Sequence, residues 1–155
     1  MQTPTNSIGA NTIKNMAAHL PALPEASEHA LNNLLLSIVE KSGKKSFLVF
    51  KHNKFLTIPT TDIAFFYCKN ESSIIVCFDR QEYFVDYSLL QIENLVANRQ
   101  FFRANRQYLV NFSAIKETEY YSPRKLLVNL HVPANDKVLV PREKVSAFLK
   151  WLENR

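Results

Sequence analysis

Glycine is scarce in this chain of 155 residues, which contains only Gly9 and Gly43. Phosphate-binding loops and dinucleotide-binding turns need several glycines within a few residues, and neither GxGxxG nor GxxxxGK[ST] is present. The scarcity of glycine therefore excludes nucleotide-binding enzymes that use those two loops.

Cysteine and histidine are also few. Cys68 and Cys77 are separated along the chain and have no His or Cys cluster beside them, so their spacing does not predict a zinc site. We expect reduced, half-buried thiols, with a redox-sensing pair as the alternative. The four histidines are scattered, and no catalytic constellation stands out. The chain is therefore predicted to be no enzyme and to need no cofactor.

Long hydrophobic runs are absent. No apolar segment approaches the roughly 18–20 residues that a membrane helix requires. The N-terminus also lacks the cationic and then apolar pattern of a secretory signal. These two absences predict a cytoplasmic protein with no membrane partner.

Charge is unevenly distributed. Residues 99–155 contain 11 Lys and Arg against 5 Asp and Glu, a net charge of +6, whereas residues 1–98 have a net charge of −1. A basic half joined to a nearly neutral half is typical of a protein that binds a polyanion. An ordinary solvated basic surface would have the same composition, so charge alone leaves both interpretations open.

The N-terminal part of the chain reads as a linker, residues 1–45. Residues 1–26 are predicted to be a poorly ordered lead-in with a possible short helix over Thr12–Leu20. Apolar residues at helical spacing then predict a helix from an N-cap at Ser27 to about Lys41, followed by Gly43 as a stop signal.

Residues 46–155 are predicted to form one mainly β domain with a few helices. Phe and Tyr are abundant, and the apolar residues occur in short runs between polar turns. Helices are expected over Ser88–Asn98 and from Pro141 to about Leu152. The predicted strands are Phe47–Phe50, Lys54–Pro59, Asp62–Cys68, Ile74–Phe78, Glu82–Val85, Tyr108–Asn111, Ile115–Tyr121, Leu126–Val132 and Val138–Val140.

The segment Phe101–Asn111 contains the most informative pattern. Arg103, Asn105, Arg106 and Gln107 lie between a pair of phenylalanines and an apolar strand. Arginine forks suit phosphate oxygens and the guanine edge, and amide side chains suit the adenine edge. A polar segment held between buried flanks can present such groups, although the arginines could instead form ion pairs on the surface.

The run Phe102-Arg103-Ala104-Asn105-Arg106-Gln107-Tyr108-Leu109-Val110-Asn111 resembles the LytTR (LytR/AlgR-type) DNA-binding domain. The upstream segment Ile58–Phe66 is similar to that family's strand before its first DNA loop. The end of the chain, Val138–Glu143 and then Phe148–Leu152, is similar to its closing strand and helix. The resemblance covers about residues 46–155.

The resemblance implies an elongated fold of about ten short strands in small sheets, whose loops enter the major groove of DNA. It also implies a role in transcription as the output domain of a bacterial two-component response regulator, with a receiver domain missing from this chain. The expected partners are double-stranded DNA with direct repeats and a second copy of the chain. The residues that it assigns to DNA contact are Lys69, Asn70, Ser72, Ser73, Arg103, Asn105, Arg106, Arg142 and Lys144.

Further interpretations remain open for the sequence. Arg124 and Lys125 are read as a solvated turn, with phosphate contact as the alternative. Tyr120 and Tyr121 are read as strand packing, with stacking on bases as the alternative. A protein-interaction module with a basic face, an RNA-binding β domain and an unrecognised enzyme are the alternative functions. The RNA alternative requires aromatic rings exposed on a sheet, whereas Phe65, Phe66, Phe101 and Phe102 are predicted to be core.

Overall fold

The computed structural model describes residues 25–41 and 43–154 of the chain. The chain divides into two units, Met1–Lys41 and Ser42–Arg155. The first 24 residues of the predicted lead-in, with the possible helix over Thr12–Leu20, lie outside the described residues.

The first unit contains helix α1, Glu25–Lys41. The helix begins two residues before Ser27, so the prediction of Ser27 as its N-cap is wrong. A cap residue lies outside the helical conformation, whereas Ser27 lies within the helix. Leu34, one of the apolar residues at helical spacing, is exposed.

The second unit is organised around three antiparallel sheets formed by ten strands among the described residues. The prediction of a mainly β fold with about ten short strands in small sheets is therefore confirmed. The strands are β1 (Ser46–Lys51), β2 (Lys54–Pro59), β3 (Ile63–Lys69), β4 (Ser72–Cys77), β5 (Glu82–Val85), β6 (Phe101–Arg103), β7 (Tyr108–Asn111), β8 (Ile115–Tyr121), β9 (Lys125–Leu130) and β10 (Val138–Val140).

The central sheet has five strands in the order β5-β4-β3-β7-β6. It is buried on both faces, because successive side chains of a strand point to opposite sides and both sides of β3 and β4 are covered. Phe65 belongs to one hydrophobic cluster and its neighbour Phe66 to the other. The apolar runs of these strands therefore have no polar alternation.

The two smaller sheets cover the two faces of the central sheet. Residues of the β1–β2 hairpin and of helix α2 (Leu89–Leu95) form one cluster with the central strands. Residues of the β10-β9-β8 sheet and of helix α3 (Arg142–Glu153) form the other. Ser88 caps α2 as predicted, since its hydroxyl accepts from the amide of Gln91, but α2 ends at Leu95 rather than Asn98.

Gly43 occupies a position that only glycine suits. Its φ is +73°, and a Cβ added there would lie 2.3 Å from the backbone nitrogen of Ala97. The amide of the next residue, Lys44, donates to the carbonyl of Leu95 at 2.7 Å. The start of the second unit is thus held against the end of α2.

The β3–β4 register argues against a disulfide between the two cysteines. Cys68 pairs with Ser73, and Cys77 lies four residues beyond Ser73 on β4. Four residues of strand span about 13 Å, whereas the Cα atoms of a disulfide lie within about 7 Å. The two thiols are free, and the alternative of a redox-sensing pair fails on this geometry.

Candidate nucleic-acid interface

The loop between β6 and β7 is shaped by the side chain of Asn105. Its Oδ1 accepts hydrogen bonds from the amides of Gln107 at 2.8 Å and Tyr108 at 3.0 Å. Its Nδ2 donates to the carbonyl of Leu139 on β10 at 2.8 Å. The Asn105 amide group therefore folds the loop and ties it to β10, and it does not face outward as the sequence-based assignment to DNA requires.

Arg103 is a clamp on the same loop. Its Nε donates to the carbonyl of Asn105 at 2.7 Å and its Nη2 to the carbonyl of Arg106 at 2.7 Å. Its Nη1 forms an ion pair with Glu93 of α2 at 3.3 Å. Only 18% of the Arg103 side chain is exposed. The guanidinium is used within the protein, so a role in DNA contact is not supported for Arg103.

Two further bonds hold the backbone around this loop. The Nζ of Lys144 donates to the carbonyl of Arg103 at 3.1 Å, and the amide of Cys68 donates to the carbonyl of Gln107 at 2.9 Å. Lys144, which the sequence assigned to DNA, is therefore a tether between α3 and the loop. The loop is fixed to β3 on one side and to β10 and α3 on the other.

Arg106 and Gln107 are the side chains that this arrangement leaves exposed. Within residues 43–154, neither side chain has a hydrogen-bond or ion-pair partner. The guanidinium of Arg106 and the side-chain amide of Gln107 therefore project from a loop whose backbone carbonyls and amides are held by hydrogen bonds. The sequence assigned Arg106 to DNA but left Gln107 out of the set.

The β3–β4 connection is a tight turn rather than the predicted loop of Lys69–Ser73. Asn70 and Glu71 form the two central residues, with φ values of 52° and 66°. Both positive values are typical of a type I′ hairpin turn. Lys69, Asn70 and Ser72 are exposed at this tip, as a role in DNA contact requires.

The position of Ser73 does not agree with its sequence-based assignment to DNA contact. It lies in β4, paired with Cys68 and Val85, and only 1% of its surface is exposed. Its hydroxyl is buried and has no hydrogen-bond partner among the residues that the structure describes. Because the side chain points into the protein, Ser73 cannot present its hydroxyl to a base as the resemblance implied.

Helix α3 begins beside the loop and presents Arg142 to solvent. Its other end is anchored by rings: Phe148 is fully buried, and Trp151 packs on Phe102 with ring centroids 5.3 Å apart. Trp151 also donates to the carbonyl of Asn98 at 2.7 Å. This anchoring fixes where the first turn of the helix, and with it Arg142, is placed.

A shallow groove joins the loop to the start of α3. It is lined by residues of the loop, of β10, of β9 and of the first turn of α3: Asn105, Arg106, Gln107, Lys125, Leu139, Pro141, Glu143 and Lys144. Leu126 on β9 pairs with Val140, the last residue of β10. Lys125, the first residue of β9, and Pro141, which follows β10, are the next residues beyond this pair. Lys125, read from the sequence as a solvated turn, therefore borders the same groove as Arg106.

The structure brings the three predicted segments to one end of the central sheet. The hairpin tip follows Cys68, which is bonded to the loop, and the loop shares its groove with the start of α3. Exposed or partly exposed cations at this end include Lys69, Arg106, Lys125, Arg142 and Lys144, against carboxylates that include Glu71, Glu93 and Glu143. The excess of positive charge suits a polyanion.

Two tyrosines near this end are buried. Burial is the main cause that raises the pKa of Tyr67 and of Tyr108, and Tyr67 also donates a hydrogen bond to Glu82. Among the described residues, no group of His, Cys, Asp and Glu could hold a metal ion. No helix of the described residues is long and apolar enough to span a bilayer.

Comparison with known proteins points to a single family. The family model described as the LytTr DNA-binding domain matches residues 53–153. Among solved structures, the LytTr DNA-binding domain of a Bacillus cereus protein described as a methyl-accepting/DNA response regulator shares the fold. The TM-score is 0.63 at 21% identity, over 71% of this chain and 98% of that chain. A search of the curated proteins finds no match.

Proposed function

Because the chain belongs to the LytTR family of DNA-binding domains, we propose that its second unit binds double-stranded DNA with sequence specificity and acts in transcription. The observation that supports this most is Arg106, whose exposed guanidinium has no partner among the described residues and lies on a loop held by hydrogen bonds. A fixed loop presents its side chains with little ordering cost on binding.

The side chains that remain exposed are the ones that can read bases. Arg106 suits the O6 and N7 atoms of guanine, and Gln107 suits the N6 and N7 atoms of adenine, so the loop can read neighbouring bases in the major groove. Arg142 provides a second fork at the start of α3. Each good contact of this kind discriminates by roughly 1–3 kcal/mol.

We assign phosphate contact to Lys69 and Lys125, which lie on either side of the loop. Asn70 and Ser72 are exposed polar neighbours of Lys69. Such contacts release counterions, so affinity for any duplex should fall steeply as the salt concentration rises. They orient the domain on DNA without reading sequence.

The experiment is a gel-shift titration with a duplex selected from a random pool and with a scrambled duplex of equal composition. The wild type should prefer the selected duplex. Arg106→Ala should lose that preference and keep a wild-type unfolding transition, because the Arg106 side chain is exposed and has no partner within residues 43–154. Lys116→Ala, an exposed cation outside the groove, is the matched control. Equal loss of preference in both variants would contradict the role of Arg106.

The family context extends the proposal to partners and location. Direct repeats in DNA, pairing of two copies and a receiver domain outside this chain are expectations from the resemblance, and a cytoplasmic location is the expectation from the sequence pattern. Footprinting on a duplex with one or two selected sites tests the pairing: a second site should be filled at lower protein concentration than the first alone.

The RNA alternative is weakened by burial. Phe65, Phe66 and Phe101 are buried in the core, where they cannot stack on bases. Tyr120 on β8, which the sequence analysis reads as strand packing, is instead 82% exposed. The exposed rings of Phe50, Phe55 and Phe84 line a groove with Asp86 and with no Lys or Arg. Single-stranded nucleic acids need cations beside such rings. Weaker binding to single-stranded RNA than to duplex DNA is therefore expected in the same titration.

A protein contact is the second candidate function, and that exposed apolar groove favours it. Leu48, Phe50, Phe55 and Phe84 are each more than half exposed, and the Phe50 and Phe55 ring centroids lie 4.9 Å apart. Exposed apolar groups that lie together are typical of protein contacts. Phe55→Ser should leave DNA affinity unchanged and weaken self-association in sedimentation, if a second copy is the partner.

A further inference from the structure

We propose that Glu93 is a positioning residue for DNA reading, which acts through Arg103 to fix the direction in which Arg106 projects. This inference rests on the proposed function. Glu93 lies on α2 and has no place in the sequence-based set of DNA contacts. Its carboxylate accepts from Arg103 at 3.3 Å.

The chain of contacts runs from α2 to the loop in two steps. Glu93 holds one arm of the Arg103 guanidinium, and the remaining arms donate at 2.7 Å to the carbonyls of Asn105 and Arg106. The carbonyl of Asn105 belongs to the peptide group that precedes the Cα atom of Arg106, and the carbonyl of Arg106 belongs to the peptide group that follows it. The guanidinium therefore sets the orientation of both peptides around the Cα atom of Arg106.

The carboxylate also keeps Arg103 away from DNA. An arginine with a free arm near a polyanion can turn toward a phosphate, because guanidinium and phosphate form paired hydrogen bonds. With Glu93 as the third acceptor, the fork of Arg103 faces α2 and the loop carbonyls. Without Glu93, we expect Arg103 to release the loop and to become an unspecific phosphate contact.

Simple electrostatics and positioning predict opposite results for the loss of this carboxylate. Removal of a negative charge from a basic end should strengthen binding to every duplex. Loss of positioning should weaken the preference for the selected duplex over the scrambled one. The ratio of the two affinities therefore separates the two effects.

The experiment measures that ratio for Glu93→Gln, Arg103→Lys and Arg106→Ala. Glu93→Gln should lower the ratio by roughly 3- to 10-fold, as expected for loss of a part-buried ion pair that orders a contact. Arg103→Lys should lower it further, because an ammonium cannot hold two carbonyls and a carboxylate in one plane. Glu93→Asp should lower the ratio less than Glu93→Gln does, because it keeps a carboxylate on a shorter side chain. Glu119→Gln, an exposed carboxylate on β8, is the charge control and should leave the ratio unchanged.

A double variant tests whether Glu93 acts through Arg106. In the Arg106→Ala background, Glu93→Gln should cause no further fall in the ratio. An additional fall of the same size would show that Glu93 acts independently of Arg106 and would overturn the proposal. A Glu93→Gln protein that binds both duplexes more tightly at an unchanged ratio would overturn it as well.

Hydrogen exchange in the free protein separates this inference from the proposed function. Glu93→Gln should speed exchange of the Gln107 and Tyr108 amides, which donate to the Asn105 side chain, while amides of β3 keep their rates. If the wild type shows no sequence preference, the proposed function fails and the exchange rates alone decide whether Glu93 holds the loop. Unchanged exchange in Glu93→Gln would contradict the inference.

Discussion

Ser73 combines a buried position with a hydroxyl that has no hydrogen-bond partner within residues 25–41 and 43–154. A buried polar group without a partner costs about 1–3 kcal/mol relative to one that is satisfied. Ser73→Ala should therefore raise the free energy of unfolding by about 1 kcal/mol, measured by urea denaturation. Affinity for the selected duplex should stay at the wild-type value, because the side chain points inward.

Ser72→Ala is the control for this substitution. Ser72 is the preceding residue and is exposed, so its loss should change stability by less than about 0.5 kcal/mol. A Ser73→Ala protein that is less stable than the wild type would show that the hydroxyl has a partner. A loss of DNA affinity on Ser73→Ala would restore the role that the resemblance assigned to it.

Cys77, Tyr67 and Tyr108 make the domain sensitive to alkali. Burial raises the pKa of the Cys77 thiol from 9.0 to about 11, and it raises the pKa of both tyrosines. The folded protein thus holds protons that the unfolded chain releases, so stability is complete below about pH 9 and falls between about pH 9 and 11. Each such proton contributes a slope of at most about 1.4 kcal/mol per pH unit.

Urea denaturation at a series of pH values checks this sign. Cys77→Ala should have a smaller fall in stability over the alkaline range than the wild type, because one raised pKa is removed. The same fall in both proteins would mean that the Cys77 thiol does not contribute.

At the level of elements, the β3–β4 turn places a residue with a Cβ where glycine is preferred. Glu71 has a φ of 66°, and this left-handed conformation costs roughly 1 kcal/mol for most residues. Glu71→Gly should therefore stabilise the domain by about 1 kcal/mol and, by removing a carboxylate, tighten binding to selected and scrambled duplexes alike.

The β1–β2 turn offers a matched control. Asn53 is also the second residue of a two-residue turn, with a φ of 61°, and this hairpin packs beside β5, where Lys51 donates to the carbonyl of Glu82. Asn53→Gly should give a smaller stabilisation, since Asn tolerates this conformation, and no change in DNA affinity. Unchanged affinity in Glu71→Gly would place the β3–β4 tip away from the DNA.

Most strands and all three helices of the described residues could be predicted from sequence, because the apolar periodicity and the turn residues agree there. The ends of the elements were less predictable. The sequence of Ser72 and Ser73 is typical of a polar loop, yet both residues pair with β3 and belong to a strand. Strand β6 is only three residues long, and its sequence is typical of a connecting segment. Tertiary pairing decides these positions.

The candidate site was predictable in place but not in role. Residue type indicates which side chains suit DNA, but it does not show which of them fold the loop. Arg103, Asn105 and Lys144 all suit phosphate or bases, yet each forms hydrogen bonds to a main-chain carbonyl or amide nearby. Gln107 stands outside the assigned set and Lys125 is read first as part of a solvated turn, whereas the groove places both beside Arg106.

At the scale of the molecule, two hydrophobic clusters hold the central sheet between the smaller sheets and helices α2 and α3. This packing fixes the loop from both sides: Glu93 and Arg103 tie it to α2, and Asn105 and Lys144 tie it to β10 and α3. The rigid scaffold leaves the side chains of Arg106 and Gln107 as the parts that face outward.

Substitution of single guanines by 7-deazaguanine in the selected duplex tests this account most directly, since it removes one major-groove acceptor without changing the phosphates or base pairing. The wild type should lose affinity at one guanine by about 1–3 kcal/mol, and Arg106→Ala should bind that substituted duplex and the parent duplex equally. If both proteins show the same dependence on every guanine, Arg106 does not read a base and the account is contradicted.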